Sequence, residues 1–130
     1  HRVDRRQRQM CIRDRAGRAL ASSLGYEWQA ELGSLRPQML INVTPIGMSG
    51  GPEAQQLAFD AEAIKAAQTV FDVVAVPPET PLILRARAEG KQVITGLEVI
   101  AIQALEQFVL YTGVRPSEEQ FQKAVAFARP

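Results

Sequence analysis

At 130 residues, 46% hydrophobic and 22% charged, the chain has the composition of one ordinary globular domain or part of one. A single cysteine, Cys11, and a single histidine, His1, exclude an internal disulfide and a His/Cys metal cluster, and with them zinc catalysis or a Ser-His or Cys-His relay confined to this chain. No apolar run of about 18 residues and no charged-then-apolar leader is present, so no membrane partner is expected and the cytoplasm is the expected compartment.

The net charge of +1 hides an asymmetry. Residues 1–18 carry Arg2, Arg5, Arg6, Arg8, Arg13, Arg15 and Arg18 against Asp4 and Asp14, so the remaining body is mildly acidic. An arm of this kind could meet phosphates. It has no aromatic residue for base stacking and no helix-turn-helix pattern after it, so nucleic acid is not an expected partner. His1 to Arg15 resembles a translated adapter sequence joined to a broken reading frame. Residues 1–15 are therefore set aside as a non-native or disordered basic extension, with a genuine basic arm as the other reading.

From Ala16 the pattern becomes regular. Ala19, Leu20 and Leu24 predict a short amphipathic helix closed by Gly25 in a left-handed cap. Tyr26-Glu27-Trp28 alternates in polarity and predicts a brief strand, and Gly33, Ser34 and Pro37 a loop. Met39 to Val43 then reads as a buried strand running into the polar, glycine-containing stretch Thr44 to Pro52. In open parallel sheets ligands sit just beyond the carboxyl ends of strands, which makes this turn a candidate site. A plain turn is the competing reading.

Asp60 predicts an N-cap for a helix of about two turns through Ala61, Ile64, Lys65 and Ala67. Thr69 to Val76 is rich in β-branched residues and predicts a second buried strand, stopped by Pro77 and Pro78. Thr80 and Pro81 open a helix that runs to Gly90. Gln92 to Thr95 is a third strand, closed by Gly96. Strands separated by helices of this length imply a parallel sheet with helices packed on its faces. Leu97, Ile100, Ala101, Ala104, Leu105, Phe108 and Val109 then recur at helical spacing and predict one broad buried face ending at Gly113. Gln103 falls among them, and a buried amide needs partners. It is either bonded to neighbouring backbone or aimed at a polyol or carboxylate in the crevice. Ser117 caps a last helix, docked by Phe121, Val125 and Phe127.

Several of these stretches carry a family resemblance. Asn42-Val43-Thr44-Pro45-Ile46-Gly47-Met48, then Asp72-Val73-Val74 before Pro77-Pro78-Glu79-Thr80-Pro81-Leu82, then Gly96-Leu97 with Gln103-Ala104 and Phe108, and lastly Tyr111-Thr112-Gly113, resemble the C-terminal half of shikimate dehydrogenases. The shikimate dehydrogenase-like branch is the more similar. The resemblance runs from about Arg15 to Pro130. It implies an α/β fold: a truncated Rossmann-like parallel sheet with flanking helices and C-terminal helices, residues 16–130 being part of an NADP-binding domain. It also implies an oxidoreductase with NADP as cofactor, interconverting the hydroxyl of shikimate and the ketone of 3-dehydroshikimate.

Carried over by motif, Thr44, Pro45 and Ile46 would line the cofactor near its ribose and nicotinamide, and Val73 and Gly96 would contact the nicotinamide. Gln103 would reach the substrate. At Gly96 the absence of a side chain would let backbone approach the flat ring, and Val73 would give the ring an apolar wall. Departures from the family pattern are equally specific. Ala75 stands on the substrate side where a tyrosine is usual, which removes a hydroxyl donor. Glu98 and Val99 replace a usual glycine and methionine. The family's catalytic lysine and aspartate, its glycine-rich dinucleotide loop and its 2′-phosphate-reading arginine are not found in these residues. This chain is therefore expected to be inactive by itself, and no catalytic residue is assigned in it. A related dehydrogenase acting on quinate or a folate one-carbon unit is a variant of the same reading. The alternative from another class is a non-catalytic nucleotide-sensing or interaction module with a basic N-terminal arm.

Overall fold

A computed structural model describes residues 15–128 of the chain. The expected basic extension therefore lies outside the described residues, save for Arg15. The chain divides into two compact units, the first ending at Leu35 and the second beginning at Arg36.

In the first unit, helix α1 covers residues 15–23. It ends as expected on Gly25, whose φ is 73°. The Gly25 amide donates to the Ser22 carbonyl and the Tyr26 amide to that of Ala21, at 3.2 and 2.8 Å, the paired bonds of a Schellman closure. The strand expected at Tyr26 to Trp28 does not form. The closure already takes the Tyr26 amide, and Trp28 turns back onto α1 instead. A Cβ at Gly17 would lie 2.7 Å from the Trp28 ring nitrogen, and the Arg18 guanidinium sits 4.7 Å from the ring centroid.

The second unit is built on three parallel strands, β1 (Met39–Asn42), β2 (Thr69–Asp72) and β3 (Gln92–Ile94), hydrogen-bonded in that order. The connecting helices are α2 (Ala61–Ala66) and α3 (Pro81–Ala88), followed by α4 (Gly96–Thr112) and α5 (Glu118–Ala128). The helix starts follow their caps. Asp60 accepts the Ala63 amide at 2.7 Å, Thr80 accepts that of Ile83 at 3.2 Å, and Ser117 and Gln120 bond each other's backbone amides. Period-two alternation turns Leu40, Asn42, Val70 and Asp72 inward, where α2 and α3 supply Ala63, Ile64, Leu82, Ile83 and Ala86. Burial of Ile64, Leu82 and Ile83 stabilises the unit by about 1.5–3 kcal/mol each. Met39, Ile41, Phe71 and Ile94 occupy the opposite face and stay exposed or half-buried.

Both later strands stop short of expectation. β2 ends at Asp72 rather than Val76, because the Asp72 side chain captures the Val74 amide at 3.0 Å. β3 ends at Ile94, because Thr95 is the N-cap of α4. A larger correction concerns α4: only Gly96 is buried, and Ile100, Phe108, Leu110 and Tyr111 are exposed. This helix is apolar nearly all round, so its spacing alone did not say which side would be covered. Phe121 and Val125 of α5 are half-buried and line an apolar groove of about 600 Å³ with Leu97, Ala101 and Leu105. Phe127 does not dock and is 93% exposed. Two residues beyond Val125 a helix has turned about 200°, which carries the ring to the opposite side. No helix among the described residues is long and apolar enough to cross a membrane.

The end of α4 is held to the following loop by a bidentate pair, Arg115 Nη1 and Nη2 to Glu106 Oε1 and Oε2 at 3.0 and 2.9 Å. Hydrogen bonding to Arg115 holds the Glu106 carboxyl below the ordinary carboxylate range. A depressed folded-state pKa means stability that is present above the unfolded value and lost as acid protonates the group. Glu106→Gln should therefore lower the urea midpoint slightly near neutral pH and leave it unchanged in strong acid, a difference that denaturation curves at the two pH values would measure.

Candidate functional site

The residues singled out by sequence lie where the strands end. Beyond β1 the chain turns through Thr44, Pro45 and Ile46, the first two exposed and Ile46 half-buried. The Thr44 amide and hydroxyl both donate to Asn42 Oδ1, at 3.0 and 2.6 Å, and Asn42 Nδ2 reaches back to the Ile46 carbonyl at 3.2 Å. One side chain thus shapes the turn. Gly47 closes it with φ 90°, backed so closely on Thr80 that a Cβ would lie 3.2 Å from the threonine Cβ.

Beyond β2, the Val73 amide adds one more rung by donating to the Asn42 carbonyl at 3.1 Å. Val73 remains 39% exposed and Ala75 is half-buried. The two loops meet again where the Ser49 amide donates to the Val76 carbonyl at 3.0 Å. Gly96 completes the rim from α4: a Cβ built on it would stand 2.5 Å from the carbonyl oxygens of both Val73 and Val74. The space an L side chain would fill is therefore taken by the chain's own backbone. Glycine is required here by that packing.

Gln103 is not the buried amide that the apolar pattern implied; it is exposed. It stands seven residues after Gly96, so it lies on nearly the same side of α4, about 10 Å further along. The rim accordingly brings the Thr44–Ile46 turn, Val73 and Gly96 together, with Ala75 two residues along the chain from Val73 and Gln103 two turns away on the helix that Gly96 begins.

Beneath the rim is a polar cluster that motif reading passed over. Asn42, Asp72 and Thr80 are 2%, 0% and 0% exposed. Asp72 Oδ1 accepts from Asn42 Nδ2 at 3.1 Å and from the Val74 amide, and its Oδ2 accepts from Thr80 Oγ1 at 2.6 Å. A signal for it was present. With Leu40 and Val70 facing inward, strand alternation places Asn42 and Asp72 inward too, and buried polar groups two positions along from core residues must find one another. The unusual Glu98 has an equally local explanation. It completes a capping box, accepting from the Thr95 amide and hydroxyl at 2.7 and 2.8 Å while Thr95 Oγ1 accepts the Glu98 amide at 3.3 Å. The Thr-x-x-Glu spacing announces this in the sequence.

This geometry can be set beside known proteins. No family model matches the chain. The shikimate dehydrogenase-like protein of Haemophilus influenzae is 50% identical over 115 residues, which are 88% of this chain and 42% of that protein. A solved shikimate 5-dehydrogenase-like protein superimposes with a TM-score of 0.85 and 49% identity, over 89% of this chain and 43% of its own. The shikimate 5-dehydrogenase of Thermus thermophilus, solved with NADP(H) and shikimate, gives a TM-score of 0.69 and 28% identity, over 85% of this chain and 41% of its own. This chain therefore spans less than half the length of the relatives it matches. Half-identical sequence over most of the chain and the same Rossmann-like parallel sheet make the chain homologous to a segment of the shikimate dehydrogenase-like proteins and of the wider shikimate dehydrogenase family.

Proposed function

We propose that the chain forms the nicotinamide-side wall of an NADP-dependent oxidoreductase that moves a hydride between the cofactor and a shikimate-like hydroxy acid. The observation that carries this reading is the convergence at one rim of the Thr44–Ile46 turn, Val73 and Gly96. Bound NADP supplies or accepts the hydride. Residues 16–130 are read as part of its binding domain, with Thr44, Pro45 and Ile46 along the ribose and nicotinamide. Val73 gives the ring an apolar support, and the backbone held at Gly96 fixes the depth to which the ring settles.

The residues present fit the apolar half of such a cofactor. They offer nothing for its diphosphate: the Gly-x-Gly spacing of a dinucleotide loop occurs nowhere in the sequence. On the substrate side, Gln103 carries an amide that can both donate to and accept from a polyol or carboxylate. Ala75 brings no polar group to the substrate, which shifts selectivity among hydroxy acids that differ by one hydroxyl. The 130 residues alone hold no assigned acid/base and should not turn over.

The test is a transplant. The matched 115 residues of the Haemophilus influenzae relative are replaced by those of this chain, and NADP reduction is followed with shikimate and with quinate. The chimera is expected to show hydride transfer wherever the unmodified relative does, within about ten-fold, while the 130-residue chain shows none. A folded chimera that is inert beside an active parent would refute the reading.

A further inference from the structure

We propose that Asp72 is a positioning residue, which locks the two loops of the rim into one body and so sets where the nicotinamide ring lies. This deepens the dehydrogenase reading above and rests on it. The inference comes from an unbroken path of buried or half-buried contacts. The Thr44 hydroxyl donates to Asn42 Oδ1 at 2.6 Å, and Asn42 Nδ2 donates to Asp72 Oδ1 at 3.1 Å. That same oxygen accepts the Val74 amide at 3.0 Å, and the Val74 carbonyl stands against Gly96. The second carboxylate oxygen is anchored from below by Thr80 Oγ1 at 2.6 Å, at the start of α3.

Each link is short-range, but together they join the turn after β1, the segment after β2 and the first residue of α4. Asp72 is fully buried and cannot touch a ligand in the rim. What it can do is remove a degree of freedom. Two loops joined through the Asn42–Asp72 pair, one bonded to Asn42 Oδ1 and the other to Asp72 Oδ1, keep a common position, whereas loops held only by their own strands would drift separately. A carboxylate whose partners are all satisfied has one low-energy arrangement in a dry interior. Hydride transfer needs that arrangement, since a misplacement of about 1 Å can cost about 100-fold in rate.

The experiment reads coupling directly. Amide hydrogen exchange is measured on the 130-residue chain, its Asn42→Ser variant and its Thr44→Val variant, the last replacing an exposed residue outside the core and removing only the hydroxyl's bonds to Asn42 and the Ile46 amide. Neither substitution changes the Val74 amide or its acceptor Asp72, with which Asn42 shares a bond and Thr44 does not. Val74 exchange should nevertheless rise about ten-fold in Asn42→Ser and several-fold in Thr44→Val, with Val70 and Phe71 of the ladder unchanged. Effects confined to residues 43–47 in both variants would overturn the proposal.

The same Asn42→Ser substitution in the chimera should lower kcat about ten-fold or more while KM for NADP stays within about two-fold. An unchanged kcat per folded molecule would reduce Asp72 to a purely structural role and also overturn it. Were the unsubstituted chimera inert beside an active parent, the dehydrogenase reading would fall on its own, and the exchange result would still decide whether the loops are coupled.

Discussion

Gly96→Ala is expected to destabilise the chain by about 3 kcal/mol or more, at the upper end of overpacking costs. The new methyl carbon would sit 2.5 Å from the Val73 oxygen, the Val74 carbonyl carbon and the Val74 oxygen. All three are backbone atoms, so none can swing aside as a side chain would. Relief would require moving the start of α4 away from the end of β2, which separates the parts of the rim. The expected loss runs against local preference, because alanine in a helix is ordinarily favoured over glycine by about 0.5–1 kcal/mol. Gly50→Ala is the informative control. It adopts φ 79° with nothing within 4 Å of the added carbon, so it should lose only the left-handed penalty of about 1–2 kcal/mol. Urea denaturation with an unchanged m-value would separate the two variants. A Gly96→Ala midpoint within error of the wild type would mean that the close approach of α4 to β2 is wrong.

Asp72→Ala should cost about 3–5 kcal/mol, the range for breaking one member of a buried polar network. Three donors lose their acceptor at once: Asn42 Nδ2, the Val74 amide and the Thr80 hydroxyl. They are not equally harmed. Asn42 Nδ2 keeps its bond to the Ile46 carbonyl at 3.2 Å, and a hydroxyl can rotate toward another acceptor. The Val74 amide has no such freedom and carries most of the penalty. Asp72→Asn should be milder, about 1–2 kcal/mol, because one oxygen remains to accept from Asn42 and Val74 while the new amide nitrogen faces Thr80. If denaturation found the two variants equally destabilised, the isosteric amide would have preserved nothing, and the site would require both carboxylate acceptors rather than the shape of the side chain.

The helices were legible because their ends are written in short-range chemistry. Asp60, Thr80 and Ser117 cap through side chains three residues from the amides they bind. Gly25 and Gly113 take the left-handed conformations their positions suggested, with φ 73° and 70°. Strand direction was legible for a similar reason, since helices between strands leave a parallel arrangement as the simple solution, whereas the order β1-β2-β3 came from the structure. Strand length was not. Val73 to Val76 has the composition of a strand, yet Asp72 folds its side chain onto the Val74 amide and ends the ladder.

At α4 the apolar spacing said only that the helix can be buried. It did not say what would cover it, and Phe108, Leu110 and Tyr111 stand exposed among the described residues. The burial expected of Gln103 from its apolar neighbours fails for the same reason.

By itself, then, the sequence determined the α/β class, the caps that open α2, α3 and α5, the glycines that close α1 and α4, and a set of motifs specific enough to mark the family, because all of these depend on residues within a few positions of one another. Only the tertiary structure decided that Gly96 is glycine to admit the Val73–Val74 backbone, and that Asn42, Asp72 and Thr80 share one buried network. Asn42 and Asp72 are 30 positions apart in the chain. The energies of such contacts depend on distances of a few tenths of an ångström, which no local pattern encodes.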